Sequence, residues 1–306
     1  MSTSPADLSG LVVAGFGRQV LIETDNGDRF QCRMLGRKIR PVCGDRITWI
    51  PLESDQVDGT VTGIGERDNV LMRPNRRGKE EPVAANLDQL IVVFSHSPPA
   101  DPFLIDRYIA AAEHLQINCA LIYNKTDTDT GPLPAWLREL QDLGYPVALT
   151  SAKSGAGLDS LRTMCAGGTS ILVGQSGVGK SSLLNALLPG IHQETGALSD
   201  SGKFGRHTTS ASYLYYLDDQ DHTAGALIDS PGVRDFAPPP LKQEQVPNGY
   251  VEILAAAEGC RFSNCRHENE PDCGVKKRVA DGQISARRYE SYLQLMALMR
   301  TLSAKS

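Results

Sequence analysis

The sequence has no apolar run approaching the ~20 residues that a membrane span needs. Its first residues, MSTSPADLSG, carry neither the basic nor the apolar stretch of a secretory leader. A cytoplasmic chain without a membrane partner is expected. Strong charge is lacking as well: 31 Lys and Arg against 36 Asp and Glu leave a net charge of −5. Any contact with nucleic acid has to come from local basic patches. Cysteine is sparse and odd in number, at seven. Four of these, Cys32, Cys43, Cys119 and Cys165, stand singly in strand-like or helical stretches and read as reduced core thiols. A chain of 306 residues is expected to hold two or three folded units.

What is present is organised around residues 174–181, GQSGVGKS. An apolar, β-branched run (169–173) precedes this stretch, and Ser182 opens a helical run that Pro189 and Gly190 end. Strand, glycine loop and helix N-terminus form an anion cradle, because glycines let the backbone wrap close while amides face the phosphates. Gly174, Gln175, Ser176, Gly177, Val178 and Gly179 are the expected cradle. Lys180 is expected to reach the β- and γ-phosphates, and the Ser181 hydroxyl to ligate Mg2+.

Upstream, residues 1–72 read as about five short strands separated by turn residues, which fits an OB-fold barrel. The barrel and the segment after it carry Arg29, Arg33, Arg37, Lys38, Arg40, Arg46, Arg67, Arg73, Arg76, Arg77 and Lys79. This charge reads either as a solvated surface or as an RNA-facing patch. Residues 73–87 are expected to be a linker. Strands and helices then alternate over 88–237, the pattern of an α/β domain with a mainly parallel sheet. Residues 238–306 form a third, helical unit with a metal cluster.

Motifs fall at expected strand ends, where ligands of such sheets sit. Asn124, Lys125, Thr126 and Asp127 follow one strand. A fixed Asp127 carboxylate can accept both N1–H and N2–H2 of guanine, a pattern adenine does not offer. Asn124 would brace the loop, and Lys125 would lie over the ring. Ser151, Ala152 and Lys153 follow the next strand and match a loop that offers an amide to guanine O6. Asp229, with Gly232 three residues on, has the form in which Asp holds Mg2+ and a Gly amide senses the γ-phosphate. Between it and the phosphate loop, Thr208 or Thr209 is placed to close on Mg2+.

Cys260, Cys265, His267 and Cys273 offer three thiols and one imidazole, a set suited to a single structural Zn2+ per chain. Three cysteines cannot pair fully as disulfides. Beyond them Lys276, Lys277, Arg278, Arg287 and Arg288 accompany an apolar-striped helix (285–302), as a solvated face or an rRNA contact.

The motif order, with the guanine loop first and the phosphate loop after it, is a circular permutation of the usual GTPase order. With a barrel before and a Cys/His cluster behind, the chain resembles the ribosome small-subunit-dependent GTPases, the circularly permuted GTPases of bacterial 30S assembly. The stretches that carry the resemblance are 85–89, 105–108, 174–185, 205–209, 228–236 and 260–273. The resemblance implies slow GTP hydrolysis accelerated by the 30S subunit, contact with 16S rRNA, and a role in late 30S maturation; we expect a monomer. An RNA-binding module using guanine nucleotide only as a structural ligand is the alternative, and a small-molecule P-loop kinase is disfavoured by the guanine reader. Val233 stands where Ras-like enzymes place a water-orienting Gln, so His207 is the candidate replacement, against its being a polar loop residue. The prolines at 238–240 suggest a stiff connector that would make the metal-binding unit a nucleotide-driven lever.

Overall fold

The computed structural model describes residues 7–34, 36, 39–74, 80–128, 131–188, 212–230 and 241–303. Five strands open the chain: β1 (Leu8–Phe16), β2 (Gln19–Glu23), β3 (Arg29–Met34), β4 (Arg46–Pro51) and β5 (Gly59–Ile64). They pair in the order β1-β2-β3-β5-β4, and β4 returns to β1, closing the barrel that the turn chemistry implied. Val12, Val20, Ile22, Cys32, Ile47, Trp49 and Val61 fill it.

Residues 73–87 are not a bare connector. β6 (Val70–Pro74) pairs antiparallel with β7 (Glu80–Ala85), and Leu71, Val83, Ala84 and Leu87 are buried. Polar residues interrupt these few apolar ones, so the sequence shows no regular period there.

The α/β part contains β8 (Gln89–Ser95), α1 (Pro102–Leu115), β9 (Asn118–Asn124), α2 (Ala135–Asp142), β10 (Val147–Leu149), α3 (Leu158–Met164), β11 (Thr169–Val173), α4 (Lys180–Leu187), β12 (Ser212–Tyr216) and β13 (Ala226–Asp229). The order β10-β9-β8-β11-β13 is parallel, and β12 runs antiparallel on the β13 edge. Strict alternation along β8 divides the core: Leu90, Val92 and Phe94 pack with the residues of α1, whereas Ile91 and Val93 pack with those of α3 and α4. Helices therefore cover both faces, and every β→α loop of the parallel strands emerges at one edge. α1 starts where it does because the Asp101 carboxylate accepts from Phe103 N at 3.0 Å and Pro102 occupies the first turn.

The barrel is continuous with this sheet. β1 pairs antiparallel with β12, with Ala14 opposite Tyr213 and Gly15 opposite Ser212, so one eleven-stranded sheet runs through both parts. Phe16 meets Tyr213 edge to face at 5.3 Å, and Tyr216 donates to buried Glu23 at 2.6 Å. β1 thereby covers an edge that would otherwise expose unpaired backbone groups.

After the described chain resumes at Leu241, a 3-10 turn (Gln243–Gly249) leads to α5 (Val251–Ala257), α6 (Gly274–Ala280) and α7 (Ala286–Ser303). Their core joins Tyr250, Ile253, Tyr292, Leu295, Met296 and Met299 to Ala110 of α1. Arg288 belongs to neither a solvated face nor an accessible basic patch: it is 1% exposed and bonds Asp106 and Glu252, while half-buried Arg287 bonds Asp106 and Glu139. Burial works against the Arg288 charge, but the carboxylates of Asp106 and Glu252 outweigh it and raise its pKa.

Cys32, Cys43, Cys119 and Cys165 are buried and unbridged, as expected. Burial pushes the thiols of Cys32, Cys43 and Cys165 up to about 12, far from reactive thiolates.

Candidate nucleotide-binding site and metal centre

The loops after β9, β10 and β11 meet at the carboxyl edge of the sheet. Asn124, fully buried, is their hub: its amide donates to Val178 O of the phosphate loop at 2.9 Å. Its carbonyl accepts from Thr150 Oγ1 at 3.2 Å and from Ala152 N at 3.3 Å. One side chain so joins the three sequence motifs. Thr126 gives both its N–H and its hydroxyl to Thr150 O, at 3.1 and 3.0 Å, which closes the turn.

Asp127 stands exposed at the tip. Ser151 Oγ donates to its Oδ1 at 2.7 Å and holds the carboxyl below the usual carboxylate range, with smaller help from Lys153 and His96. Ser151 is itself fixed by accepting from Ser154 N at 3.1 Å.

The phosphate loop runs directly into α4, with Gly179 as its N-cap residue. Gly174 has φ 141°, and a Cβ there would lie 2.1 Å from Val93 O. Gly179 has φ 99°, and a Cβ would meet the Asn124 amide at 2.4 Å. A side chain at either position would split the loop from its neighbours. Lys180 Nζ donates to Gly174 O at 2.5 Å and Gln175 O at 2.7 Å, so its ammonium already lies inside the cradle. Ser181 and Ser182 open α4 with exposed side chains, and Gln175, Ser176 and Gly177 form the outer turn. Asp229 ends β13, next to β11, and the neighbouring Ser212 and Ser230 hydroxyls bond at 2.9 Å. His207, Thr208, Thr209 and Gly232 lie outside the described residues.

The sequence reading missed the loop after β8. β8 lies between β9 and β11, so this loop emerges between the guanine and phosphate loops. Ser97 O accepts from Lys125 Nζ at 2.6 Å, as does Gly177 O at the same distance. His96 Nε2 lies 3.4 Å from Thr128 Oγ1. A Ser-Pro turn directly after a buried strand was the available signal.

Cys260, Cys265, His267 and Cys273 converge with their ligand atoms all within 4.8 Å of one another. Cys260 and Cys273 sulfurs are 3.8 Å apart, and each lies 3.5 Å from His267 Nδ1. A tetrahedral Zn2+ site has edges of roughly 3.8 Å between sulfurs and ~3.5 Å between sulfur and nitrogen. The donor set therefore fits a tetrahedral, thiolate-preferring ion. Burial lowers the His267 pKa and favours the neutral ligand form. Its backbone carbonyl accepts from Tyr289, and Arg266 O accepts from Tyr292 at 2.9 Å, so α7 holds the loop in place.

Of the basic residues, Arg67 binds buried Asp45 with both Nε and Nη2 at 2.7 Å, and Arg29 pairs with Glu23 at 2.8 Å. Arg33, Arg40 and Arg46 stay exposed on the barrel, while Arg37, Lys38, Arg76, Arg77 and Lys79 lie outside the described residues. No described helix is long and apolar enough to cross a membrane.

A phosphate loop and a guanine-type loop bound to each other at one sheet edge, with the second preceding the first in the chain, define a circularly permuted GTPase. The chain belongs to the RsgA GTPase family: a family profile of that description matches residues 64–238. A protein of Ectopseudomonas mendocina named small ribosomal subunit biogenesis GTPase RsgA is 40% identical over 297 residues, covering 94% of this chain and 85% of that protein. A namesake from Azotobacter vinelandii is 39% identical with the same coverage. The crystal structure of YjeQ from Thermotoga maritima matches with a TM-score of 0.73 at 29% identity, over 96% of this chain and 99% of that one. YloQ, titled a circularly permuted GTPase, matches with a TM-score of 0.72 at 27% identity, over 97% and 96%.

Proposed function

We propose that this chain hydrolyses GTP in the service of small ribosomal subunit biogenesis, as the names of its relatives state for them. The observation that carries the reading is the Asn124–Val178 bond, which ties a guanine-type loop to a phosphate loop in one rigid site. In this reading Asp127 recognises the guanine edge, Asn124 and Lys125 frame the base, and the loop of Ser151, Ala152 and Lys153 offers an amide to O6. Gly174, Gln175, Ser176, Gly177, Val178 and Gly179 cradle the phosphates, with Lys180 at the β- and γ-oxygens and Ser182 at the helix start.

Ser181, Asp229 and a hydroxyl of Thr208 or Thr209 are the residues that would hold Mg2+, which when bound neutralises developing phosphate charge. Attack of water on the γ-phosphorus forms one P–O bond and breaks the β–γ bridge, releasing GDP and phosphate. His207 orients that water or accepts its proton, and the Gly232 amide responds to the γ-phosphate. The Cys260, Cys265, His267 and Cys273 set holds one structural Zn2+, with no open position for catalysis. Exposed Arg33, Arg40 and Arg46 support 16S rRNA as the barrel's partner, with the protein acting as a cytoplasmic monomer.

GTP turnover with and without 30S subunits tests the reading. Stimulated turnover is expected, lost in Lys180→Ala and lowered about 10²–10⁴-fold in His207→Ala. Tight guanine nucleotide binding without stimulated turnover would instead support a binding module.

A further inference from the structure

Lys125 donates its ammonium to two carbonyls, Gly177 O and Ser97 O, each at 2.6 Å. The first belongs to the phosphate loop, and the second to the loop after β8, which carries none of the sequence motifs. An ammonium pinned at two points holds its aliphatic stem in one line across the base site. That stem can form a floor for the purine only while both carbonyls keep their places.

Gly177 O is placed by the phosphate loop itself. Ser97 is exposed, and its carbonyl has a different support: Ser95 Oγ donates to it at 2.9 Å. Ser95 is 0% exposed and ends β8, with its Cα directly opposite Asn124 in the parallel pair with β9. Pro98 is the nearest neighbour of the Gly177 Cα face, and Pro99 bridges back to Ser95. The turn is thus closed on itself by one buried hydroxyl and lies against both nucleotide loops.

We propose that Ser95 is a positioning residue for guanine nucleotide: its hydroxyl fixes the Ser97 carbonyl, which fixes Lys125 against the base. The inference rests on the nucleotide site described above. Because the base is common to both nucleotides, loss of the hydroxyl affects GDP and GTP alike. A phosphate-side defect would separate them.

The test is release of fluorescent GDP and of a fluorescent non-hydrolysable GTP analogue from the full-length protein, followed by stopped flow. Loss of one neutral hydrogen bond corresponds to a factor of about three to ten. Ser95→Ala is expected to speed release of both nucleotides by that factor, and to add nothing in a Lys125→Ala background, since both changes cut the same link. Wild-type release rates in Ser95→Ala, or full additivity with Lys125→Ala, would overturn the proposal. If Ser95→Ala does not fold, Ser95→Cys goes through the same cycle: faster release that vanishes in the Lys125→Ala background supports the link, and wild-type rates overturn it. Lys125→Ala serves as the separating arm. Unchanged release there overturns the nucleotide-site reading and this proposal with it, whereas a fast Lys125→Ala beside a wild-type Ser95→Ala overturns only the role of Ser95.

Discussion

Arg288 Nη1 lies 2.8 Å from Asp106 Oδ1, with the two side chains 1% and 0% exposed. This pair joins the C-terminal helix α7 to α1, the helix that follows β8. Glu252 takes the remaining Arg288 donors at 2.6 and 3.0 Å, and the guanidinium lies 4.5 Å from the centre of the Tyr250 ring. Removing Arg288 leaves the largely buried Glu252 carboxylate without its guanidinium and fully buried Asp106 with Arg287 alone. Arg288→Ala is expected to lower unfolding stability by about 3–5 kcal/mol, and Arg288→Met by clearly less if Glu252→Gln accompanies it. Denaturant titration measures both, and a loss below ~1 kcal/mol in Arg288→Ala would contradict the assignment.

The same cluster bears on how the C-terminal part responds to nucleotide. A lever driven through residues 231–240 would have to pull α5 and α7 away from α1, breaking these pairs and the contact of Gly249 with Ala110, where a Cβ would approach to 2.6 Å. A ligand shifts an equilibrium only by its differential affinity for the two arrangements. Hydrogen-exchange protection over residues 250–273 is therefore expected to be the same with GDP and with a GTP analogue. A change in protection there on exchanging the nucleotide would support the lever instead.

Asp127 offers a nucleotide-choice prediction. Two charge-assisted bonds to guanine are worth about 1.5–3 kcal/mol each, so Asp127→Asn should weaken GTP binding by two or more orders of magnitude and favour xanthosine triphosphate. The carboxylate is the binding form, and Ser151 lowers its pKa. Affinity should therefore persist as pH falls through the ordinary carboxylate range, and in Ser151→Ala it should fall away at higher pH than in the wild type. Equal pH profiles in calorimetric titrations of the two proteins would remove Ser151 from this role.

For the cysteine cluster, metal analysis of the purified chain is expected to find one Zn2+, displaced by a strong chelator or by Cys265→Ser. Tyr289 and Tyr292 bond the backbone of the metal loop, so metal loss should change the near-ultraviolet tyrosine signal. Full retention of metal in Cys265→Ser would show that the fourth ligand is another group.

Local features were legible because contiguous residues set them. The phosphate loop, the Asn124 turn and the Cys/His spacing each require particular side chains at fixed short separations, and β11 lies where the apolar run at 169–173 put it. The hairpin of β6 and β7 was not legible, since Leu71, Val83 and Ala84 are too few and too irregular to show a period.

Sequence alone thus determined that this is a permuted GTPase with a barrel before it and a Cys/His cluster after it. Only tertiary structure decided that β1 completes the edge of the GTPase sheet beside Ser212, and that Arg288 is buried on Asp106 rather than exposed to solvent or rRNA. It also decided that Ser95 and Ser97 stand between the two nucleotide loops. The physical reason is separation along the chain. Tyr216 and Glu23 are 193 residues apart, and Arg288 and Asp106 are 182 apart. Contacts over such distances depend on which sheet edge and which helix face are left uncovered after the local elements form, and no short-range pattern encodes that.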